Sequence, residues 1–420
     1  MDNLQDIINE ANKCLNCKNP LCKKGCPIET KIPEFINEIK QNNLEKAYEI
    51  LQENNIMSDV CSNVCPFEEY CLGHCVRGIK GKPVNIPKLE KYINIWAREN
   101  NVQYEYKKEE QNEMNIAIIG SGPSGLECAA ELAKRGFNVT IFEREKEIGG
   151  LLSYGIPGFR LPRNITDKLT TRILSLGINI KTNIELGKDI TVKKLKEEFD
   201  AVFIGIGADV PSTYCLCEKD CNNIYNSNYI LREYNAKRII KNLGDVIIIG
   251  GGNVATDCAR AVIRMGAKSS TIVYRRDIKK MPAREDELKA AVQDGVEIIY
   301  NTKVISVDIE NDKIKAAKCI KTETVDDEIK DLKDSEFFIK ANSIVYAIGL
   351  KLDKKLVENE GIEINERDLI KIDKNYMTNI DGVFAGGDAT QNKSTVCMAV
   401  NNGKKAAEEI EKYCKNRNRL

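Results

Sequence analysis

Asn115-Ile116-Ala117-Ile118-Ile119-Gly120-Ser121-Gly122-Pro123-Ser124-Gly125 decides the fold. The short apolar run reads as a strand buried on both faces of a parallel sheet. It passes without a linker into Gly-x-Gly-x-x-Gly. A helical stretch, Leu126 to Arg135, follows and is stopped by Gly136. A second strand, Val139 to Phe142, ends in Glu143. Strand, glycine loop, helix, strand and acid form one dinucleotide-binding unit. The glycines permit a tight turn and close backbone approach to a pyrophosphate. The helix N-terminus favours its negative charge, and the acid accepts from ribose hydroxyls. Gly120, Gly122, Pro123, Ser124, Gly125 and Glu143 are the candidate ligands. The pair Gly149-Gly150, just beyond the acid, suits a chain folded tightly over a bulky ligand or, alternatively, a plain loop.

Further along, the pattern returns. Val246 to Ile249 reads as a buried strand and feeds Gly250-Gly251-Gly252-Asn253-Val254-Ala255, a Gly-x-Gly-x-x-Ala loop. A helix from about Thr256 to Met265 ends at Gly266. A strand from Thr271 to Tyr274 then leads to Arg275-Arg276. The first unit therefore ends its second strand with an acid and the second unit with bases. An acid suits a ribose with a free 2′-hydroxyl. Arginine suits a 2′-phosphate through charge-assisted, bidentate hydrogen bonds. The second site is expected to prefer NADP over NAD, with Arg275 and Arg276 reading the phosphate, unless they are two solvated surface arginines. Residues 303 to 346 alternate apolar and polar side chains and read as antiparallel strands completing that domain.

Val383-Phe384-Ala385-Gly386-Gly387-Asp388 is a strand that ends in glycines and an acid. A helix is expected from near Ser394-Thr395 to about Cys414. Asp388 is a candidate for a cofactor hydroxyl or an ordinary turn acid. A helix N-terminus near Thr395 would stabilise negative charge on a reduced flavin ring.

Ahead of these units stand two groups of cysteines. One is Cys14-x2-Cys17-x4-Cys22-x3-Cys26-Pro27. The other is Cys61-x3-Cys65-x5-Cys71-x3-Cys75, with Pro66 after Cys65. Zinc takes four cysteines tetrahedrally, and Cys-x2-Cys pairs are common there; only one such pair occurs here. Iron–sulfur clusters take the same donors. In two-cluster ferredoxins the cysteine before proline ligates the other cluster. By that logic Cys26 leaves Cys14, Cys17 and Cys22 and joins the second site, and one cysteine crosses back. The eight thiols would supply two cubane clusters, although spacing leaves open which are used. Between the groups, Ile32 to Gln52 reads as helical, and Leu89 to Glu99 as a second helix.

The bulk properties narrow the field. With 420 residues, two or three domains are expected. Sixty-three basic residues balance 63 acidic ones, which gives no electrostatic case for nucleic acid or an anionic membrane surface. No apolar run spans a bilayer. The start, Met1-Asp2-Asn3-Leu4, is polar and acidic, unlike a secretory signal, so the cytoplasm is expected. Sixteen cysteines without an export signal argue for metal or redox use. The single histidine, His74, excludes histidine metal sites and most hydrolase triads, so the chemistry must come from cofactors.

These residues carry a resemblance to the small (beta) subunit of NADPH-dependent glutamate synthase. Similar relatives are the flavoprotein subunit of the ferredoxin–NADP transhydrogenase and the front portion of dihydropyrimidine dehydrogenase. The carrying motifs are the two cysteine groups, Gly120 to Gly125, Gly149-Gly150-Leu151 with Tyr154-Gly155-Ile156-Pro157, Gly250 to Ala255, Tyr274-Arg275-Arg276, Met281-Pro282-Ala283 and Gly386-Gly387-Asp388.

The resemblance implies an α/β protein with an N-terminal α-helical two-cluster iron–sulfur domain and two Rossmann-like, glutathione reductase-like domains. The NADP domain would be inserted in the FAD domain. The implied division gives 1–111 to iron–sulfur, 112–237 to the leading FAD-binding segment, 238–345 to NADP(H) and 346–420 to the returning FAD-binding segment. It implies FAD at the first loop, with Gly150, Leu151, Gly387, Asp388 and Thr395 beside the loop residues, NADP(H) at the second, and Gly349 as a further cofactor-binding residue. One 4Fe–4S cluster would use Cys14, Cys17, Cys22 and Cys75. The other would use Cys26, Cys65, Cys71 and an oxygen from Glu90, which leaves Cys61 over.

The implied reaction passes electrons from NADPH through FAD and two clusters to a partner protein. That partner would be a glutamate synthase large subunit or a ferredoxin-linked one. The alternative is a transhydrogenase or sulfide dehydrogenase-type flavoprotein subunit. A self-contained disulfide reductase would need a Cys-x2-Cys beside the flavin, and none follows residue 26. A zinc-stapled nucleotide scaffold is a third class, separable by metal analysis. Cys215, Cys217 and Cys221 depart from the family pattern and read as loop cysteines, with a third metal site as the alternative. Cys128, Cys258, Cys319, Cys397 and Cys414 read as core filler.

Overall fold

A computed structural model describes residues 3–217, 222–392 and 395–417, so Cys221 and Ser394 lie outside the described residues. The chain forms two compact units. One comprises Met1–Ser153, Phe159–Ala208 and Leu352–Leu420; the other comprises Tyr154–Gly158 and Asp209–Lys351.

The front of the first unit is helical: Leu4–Ala11, Leu21–Lys24, Ile32–Lys40, Leu44–Asn54, Ser58–Val64 and Ile86–Glu99. Ile7, Phe35, Ile36, Ile39, Leu51, Leu89 and Ile93 meet in its core, and Cys14, Cys22, Cys26, Cys71 and Cys75 pack at the edge of that core. The single helix expected over 32–52 is two. Asn42 adopts φ +60°, left-handed geometry that asparagine tolerates and a continuing helix does not. The helix expected from Leu89 begins at Ile86, with Pro87 in its first turn and the Asn85 side chain accepting from Lys88 N at 3.2 Å.

Behind this head lies a five-stranded parallel sheet in the order Val383–Ala385, Ala201–Ile204, Asn115–Ile119, Asn138–Glu143, Asn179–Thr182. The helix after the glycine loop, Pro123–Lys134, and the long helix Val396–Arg417 belong to this unit. Arg172, on Arg163–Ser175, ties the head down by donating to Tyr48 OH at 3.0 Å and to Ile56 O at 3.1 Å.

The second unit has its own parallel sheet, Ile224–Asn226, Ser343–Tyr346, Asp245–Ile249, Ser269–Val273, Glu297–Ile299. Thr302–Glu310, Lys313–Val325 and Glu328–Lys340 form an antiparallel sheet as expected. Residues 343–346, expected to share it, instead pair parallel with Val246–Ile249. Ser343–Tyr346 is buried throughout, whereas the antiparallel strands alternate, and burial on both faces is what a central parallel strand requires.

Candidate cofactor sites and sulfur cages

The glycine loop of the first unit is closed by its own acid. Glu143 is 5% exposed. Its Oε2 accepts from Ser121 N at 2.8 Å and Ser121 Oγ at 2.5 Å, and its Oε1 accepts from Glu145 N at 2.8 Å. Each carboxylate oxygen accepts more than one hydrogen bond, so capacity for ribose hydroxyls remains. The Gly149 N–H donates to Ser121 O at 3.0 Å and to Ser121 Oγ at 3.1 Å, which folds the 149–150 turn over the loop. A Cβ on Gly125 would lie 2.0 Å from Gly120 O, so helix and loop close only around glycine. Gly387 comes from far along the chain, yet a Cβ there would lie 2.6 Å from Ser124 Oγ. Gly122, Ser124, Gly150 and Gly387 thus converge, with Asp388 next to them in the turn Gly387–Ala389. Leu151 opens the helix Leu151–Tyr154. Thr395 precedes the long helix, and its hydroxyl accepts from Met398 N at 3.4 Å.

Sequence reasoning passed over Asn402. Buried in the long helix, its Oδ1 accepts from Gly387 N at 3.1 Å and fixes the Asp388 turn. No local pattern marks an asparagine in mid-helix as a loop anchor.

In the second unit, the Gly250 loop opens the helix Asn253–Arg264. Asn253 does more than line that loop: its Oδ1 accepts from Arg284 N at 3.0 Å, and Ala283 N donates to Gly251 O at 3.0 Å. The Met281-Pro282-Ala283 segment and Arg284 therefore brace the loop. Val254 is 40% exposed at its rim. Arg275 is exposed and Arg276 half-buried, both just past the strand Ser269–Val273, with their backbone carbonyls held by Thr322 Oγ1 at 2.9 Å and Asn301 N at 3.1 Å. The backbone is pinned while the Arg275 side chain faces water and that of Arg276 is partly exposed. Gly349 lies in this second unit, at φ +109°, with its carbonyl accepting from Ser212 N at 2.9 Å.

Cys14, Cys17, Cys22 and Cys75 line one cavity of the head, walled by Ile32, Ile36 and Val84, with about 380 Å³ of empty space including its open mouth. Burial first, and then the neighbouring Cys75, Cys14 and Cys17, push the Cys22 thiol up to about 11. Gathered thiols resist ionising without a cation between them, and a metal core supplies it. Among the described residues, no group of three or more His, Cys, Asp or Glu is placed to hold a single metal ion. Four thiols lining one cavity are the donor set that a 4Fe–4S core takes.

The second cage is deeper. Glu90 is 9% exposed, accepts from Ser58 Oγ at 2.8 Å, and burial raises its carboxyl to about 7. Cys26, Cys71, Cys61 and Cys397 all lie close enough to interact electrostatically with it. Cys65 is turned towards Cys61 and Cys397, hydrogen-bonding both. Cys397, read as core filler, is indeed buried, and a helix from the far end of the sequence carries it beside Cys65. Cys128, Cys258, Cys319 and Cys414 are fully buried. Cys215 is exposed, its thiol 3.0 Å from Cys217 O.

Two family profiles match the chain: "Pyridine nucleotide-disulphide oxidoreductase" over 80–230 and 114–406, and dihydropyrimidine dehydrogenase domain II, 4Fe-4S cluster, over 2–102. The chain belongs to the pyridine nucleotide-disulphide oxidoreductase family, with that iron–sulfur domain at its front. It is a flavin-, pyridine nucleotide- and 4Fe–4S-dependent oxidoreductase. The glutamate synthase [NADPH] small chain of Escherichia coli K12 is 30% identical over 96% of this chain and 90% of its own length. The NAD-dependent dihydropyrimidine dehydrogenase subunit PreT of the same strain is 33% identical over 97% and 94%. Among solved structures, FprA from Mycobacterium tuberculosis in complex with NADPH shares the fold at TM-score 0.63, with 16% identity over 73% of this chain and 86% of that one. Thioredoxin reductase of T. acidophilum does so at TM-score 0.55, with 20% identity over 73% and 100%.

Proposed function

We propose that the protein takes electrons from NADPH and delivers them one at a time to a partner protein, as a subunit like the small chain of glutamate synthase. The observation that carries this reading is the single cavity lined by Cys14, Cys17, Cys22 and Cys75, built into the same compact unit as the first glycine loop. FAD when bound would convert a hydride pair into single electrons, and 4Fe–4S cores would carry them. The proposed division is 1–111 for the clusters, 112–237 with 346–420 for FAD, and 238–345 for the nicotinamide nucleotide.

The side chains hold and orient. Gly120, Gly122, Pro123, Ser124 and Gly125 would offer backbone and helix N-terminus to the FAD pyrophosphate, and Glu143 would accept from its ribose. Gly150, Leu151, Gly387, Asp388 and Thr395 would complete that pocket. Gly250, Gly252, Asn253, Val254 and Ala255 would hold NADP(H), with Arg275 and Arg276 reading its 2′-phosphate, and Gly349 would be a further cofactor contact. Cys14, Cys17, Cys22 and Cys75 would hold one cluster; Cys26, Cys65, Cys71 and Glu90 would hold the other. The donor set fits, since thiolates and one buried carboxylate suit iron. None of these residues is required to act as a proton donor or acceptor.

A relative named NAD-dependent supports a second reading, in which NADH is the donor. The bases Arg275, exposed, and Arg276, half-buried, favour NADPH. No helix among the described residues is long and apolar enough to cross a membrane, and a cytoplasmic location belongs to the proposal. Anaerobic purification from the native host, with identification of co-purifying subunits, tests the partner. A glutamate synthase large subunit is expected; a ferredoxin-linked or sulfide dehydrogenase-type partner would favour the alternative. Bleaching of the bound flavin by NADPH and not NADH is expected, and equal bleaching by NADH would remove the role given to Arg275 and Arg276.

A further inference from the structure

Glu90, Asn94 and Arg98 recur at four-residue steps along the helix Ile86–Glu99 and so form one stripe on its surface. That stripe meets the first turn of the helix Ser58–Val64. Ser58 Oγ donates to Glu90 Oε1 at 2.8 Å, and Asn94 Nδ2 donates to Ser58 Oγ at 3.0 Å. One turn further on, Arg98 Nη1 donates to Asp59 Oδ2 at 2.8 Å. Ser58 and Asn94 are buried, at 1% and 2% exposed. The short helix that carries Ser58 ends at Cys65, its C-terminal cap. One element therefore holds a proposed sulfur ligand at one end and the hydrogen-bond partner of the proposed oxygen ligand at the other.

The direction of these bonds is fixed by chemistry. Asn94 Nδ2 also donates to Glu90 O at 3.0 Å. A backbone carbonyl only accepts, so the amide must turn its nitrogen to that side. Ser58 Oγ then accepts from Asn94, and its single proton goes to Glu90 Oε1. This orientation leaves Asn94 Oδ1 buried without a hydrogen-bond partner. A buried acceptor left unsatisfied is unfavourable, and an apolar side chain of similar size would avoid it. The asparagine is accounted for by what its nitrogen does.

We propose that Ser58, held in place by Asn94, is the positioning residue of the second cluster: it occupies Oε1 of Glu90 and leaves Oε2 to meet the iron. A carboxylate fixed at one oxygen presents the other in a set direction, and loss of such a supporting partner weakens a metal site roughly 10- to 100-fold. Ser58 and Asn94 keep their protons throughout. The inference rests on the reading that Glu90 is a cluster ligand.

The test uses anaerobically purified full-length protein, with flavin, iron and sulfide counted and electron paramagnetic resonance recorded after reduction. Cys71→Ser and Glu90→Ala are expected to remove the same signal, that of the second cluster. Ser58→Ala is expected to keep the flavin and the first cluster's signal, to shift the g-values of the second, and to lose that cluster's iron at roughly 10-fold less chelator. Asn94→Leu should do the same more weakly. Ser58→Thr, which retains the hydroxyl, should restore both readouts. Arg98→Ala, which breaks the neighbouring clamp without touching Glu90, should lower the melting temperature and leave the g-values unchanged. A wild-type signal and wild-type chelator resistance in Ser58→Ala would overturn the inference while the assignment of Glu90 stands. Failure of Ser58→Thr to restore them, or loss of flavin along with both clusters in Ser58→Ala, would make the serine a folding residue and also overturn it. Two intact clusters in Glu90→Ala would overturn the reading beneath it.

Discussion

The two glycine loops share a pattern and differ in how they are finished. The first closes on itself: Glu143 accepts from Ser121 of the loop, and Gly125 admits no Cβ. The second stays open at the corresponding strand end, where Arg275 is exposed and Arg276 half-buried, and its third position is Ala255, fully buried and accommodated. Here the tight point is Gly250, at φ +150°, where a Cβ would lie 2.3 Å from Ala347 O. One motif therefore serves two purposes. A loop that satisfies its own acid is preorganised for a cofactor held permanently. One that leaves charged side chains in water suits a nucleotide that comes and goes.

The sharpest way to break this contrast is to give the first loop the second loop's residue. Gly125→Ala forces the helix away from Gly120, which should cost about 3 kcal/mol or more. Protein purified with little flavin and a lowered melting temperature is expected. Gly250→Ala should instead retain flavin and lose its response to the nicotinamide nucleotide. Flavin absorbance and nucleotide-dependent bleaching separate the two, and full flavin in Gly125→Ala would show that the loops are interchangeable.

The next effect is on the open end. Replacing Arg275 and Arg276 by serine removes charge-assisted hydrogen bonds worth ~1.5–3 kcal/mol, so KM for NADPH should rise roughly 10- to 100-fold. KM for NADH should stay within about twofold. Steady-state kinetics with an artificial acceptor reads both, and a parallel rise for NADH would mean that the arginines do not read the 2′-phosphate.

Glu143→Gln probes the closed end. An amide keeps one acceptor oxygen where the carboxylate has two, so it cannot serve both Ser121 and Glu145. A loss of ~1–2 kcal/mol in stability and weaker flavin retention are expected. Denaturant unfolding that matches wild type would mean the loop does not depend on its acid.

The smallest effect lies under the first loop's helix. Glu127 is fully buried; burial and then the Glu131 carboxylate push it up to about 7. Its neighbour Glu131, although burial works the other way, is held low by Lys134, Arg135 and Lys404. A carboxyl raised in the folded state favours folding while protonated. That contribution is lost as pH rises from the ordinary carboxylate range through about 7. Glu131 acts oppositely, its contribution fading only as pH falls below that range. Glu127→Gln should therefore gain on wild type between about pH 5 and 8, by on the order of 1 kcal/mol. A pH-independent difference in unfolding free energy would rule this out.

The strand cores, both glycine loops and the residues that end their second strands were all legible in sequence, because each is a local pattern with a local physical cause. The break at Asn42 was not, since one left-handed residue leaves the apolar spacing intact. The parallel placement of Ser343–Tyr346 escaped too, because a short apolar run does not declare its partner. Asn402 and Cys397 gave no local signal at all.

Sequence alone therefore determined what this protein handles: the donor types, the two loops, and the acid and bases that tell them apart. Those properties reside in residue identity at fixed spacing, which the chain carries with it before folding. Only the tertiary structure decided which sulfurs share a cavity, and that Cys65 meets Cys397. Such meetings depend on how helices and strands distant in sequence pack to bury their apolar faces, and spacing along the chain does not record that.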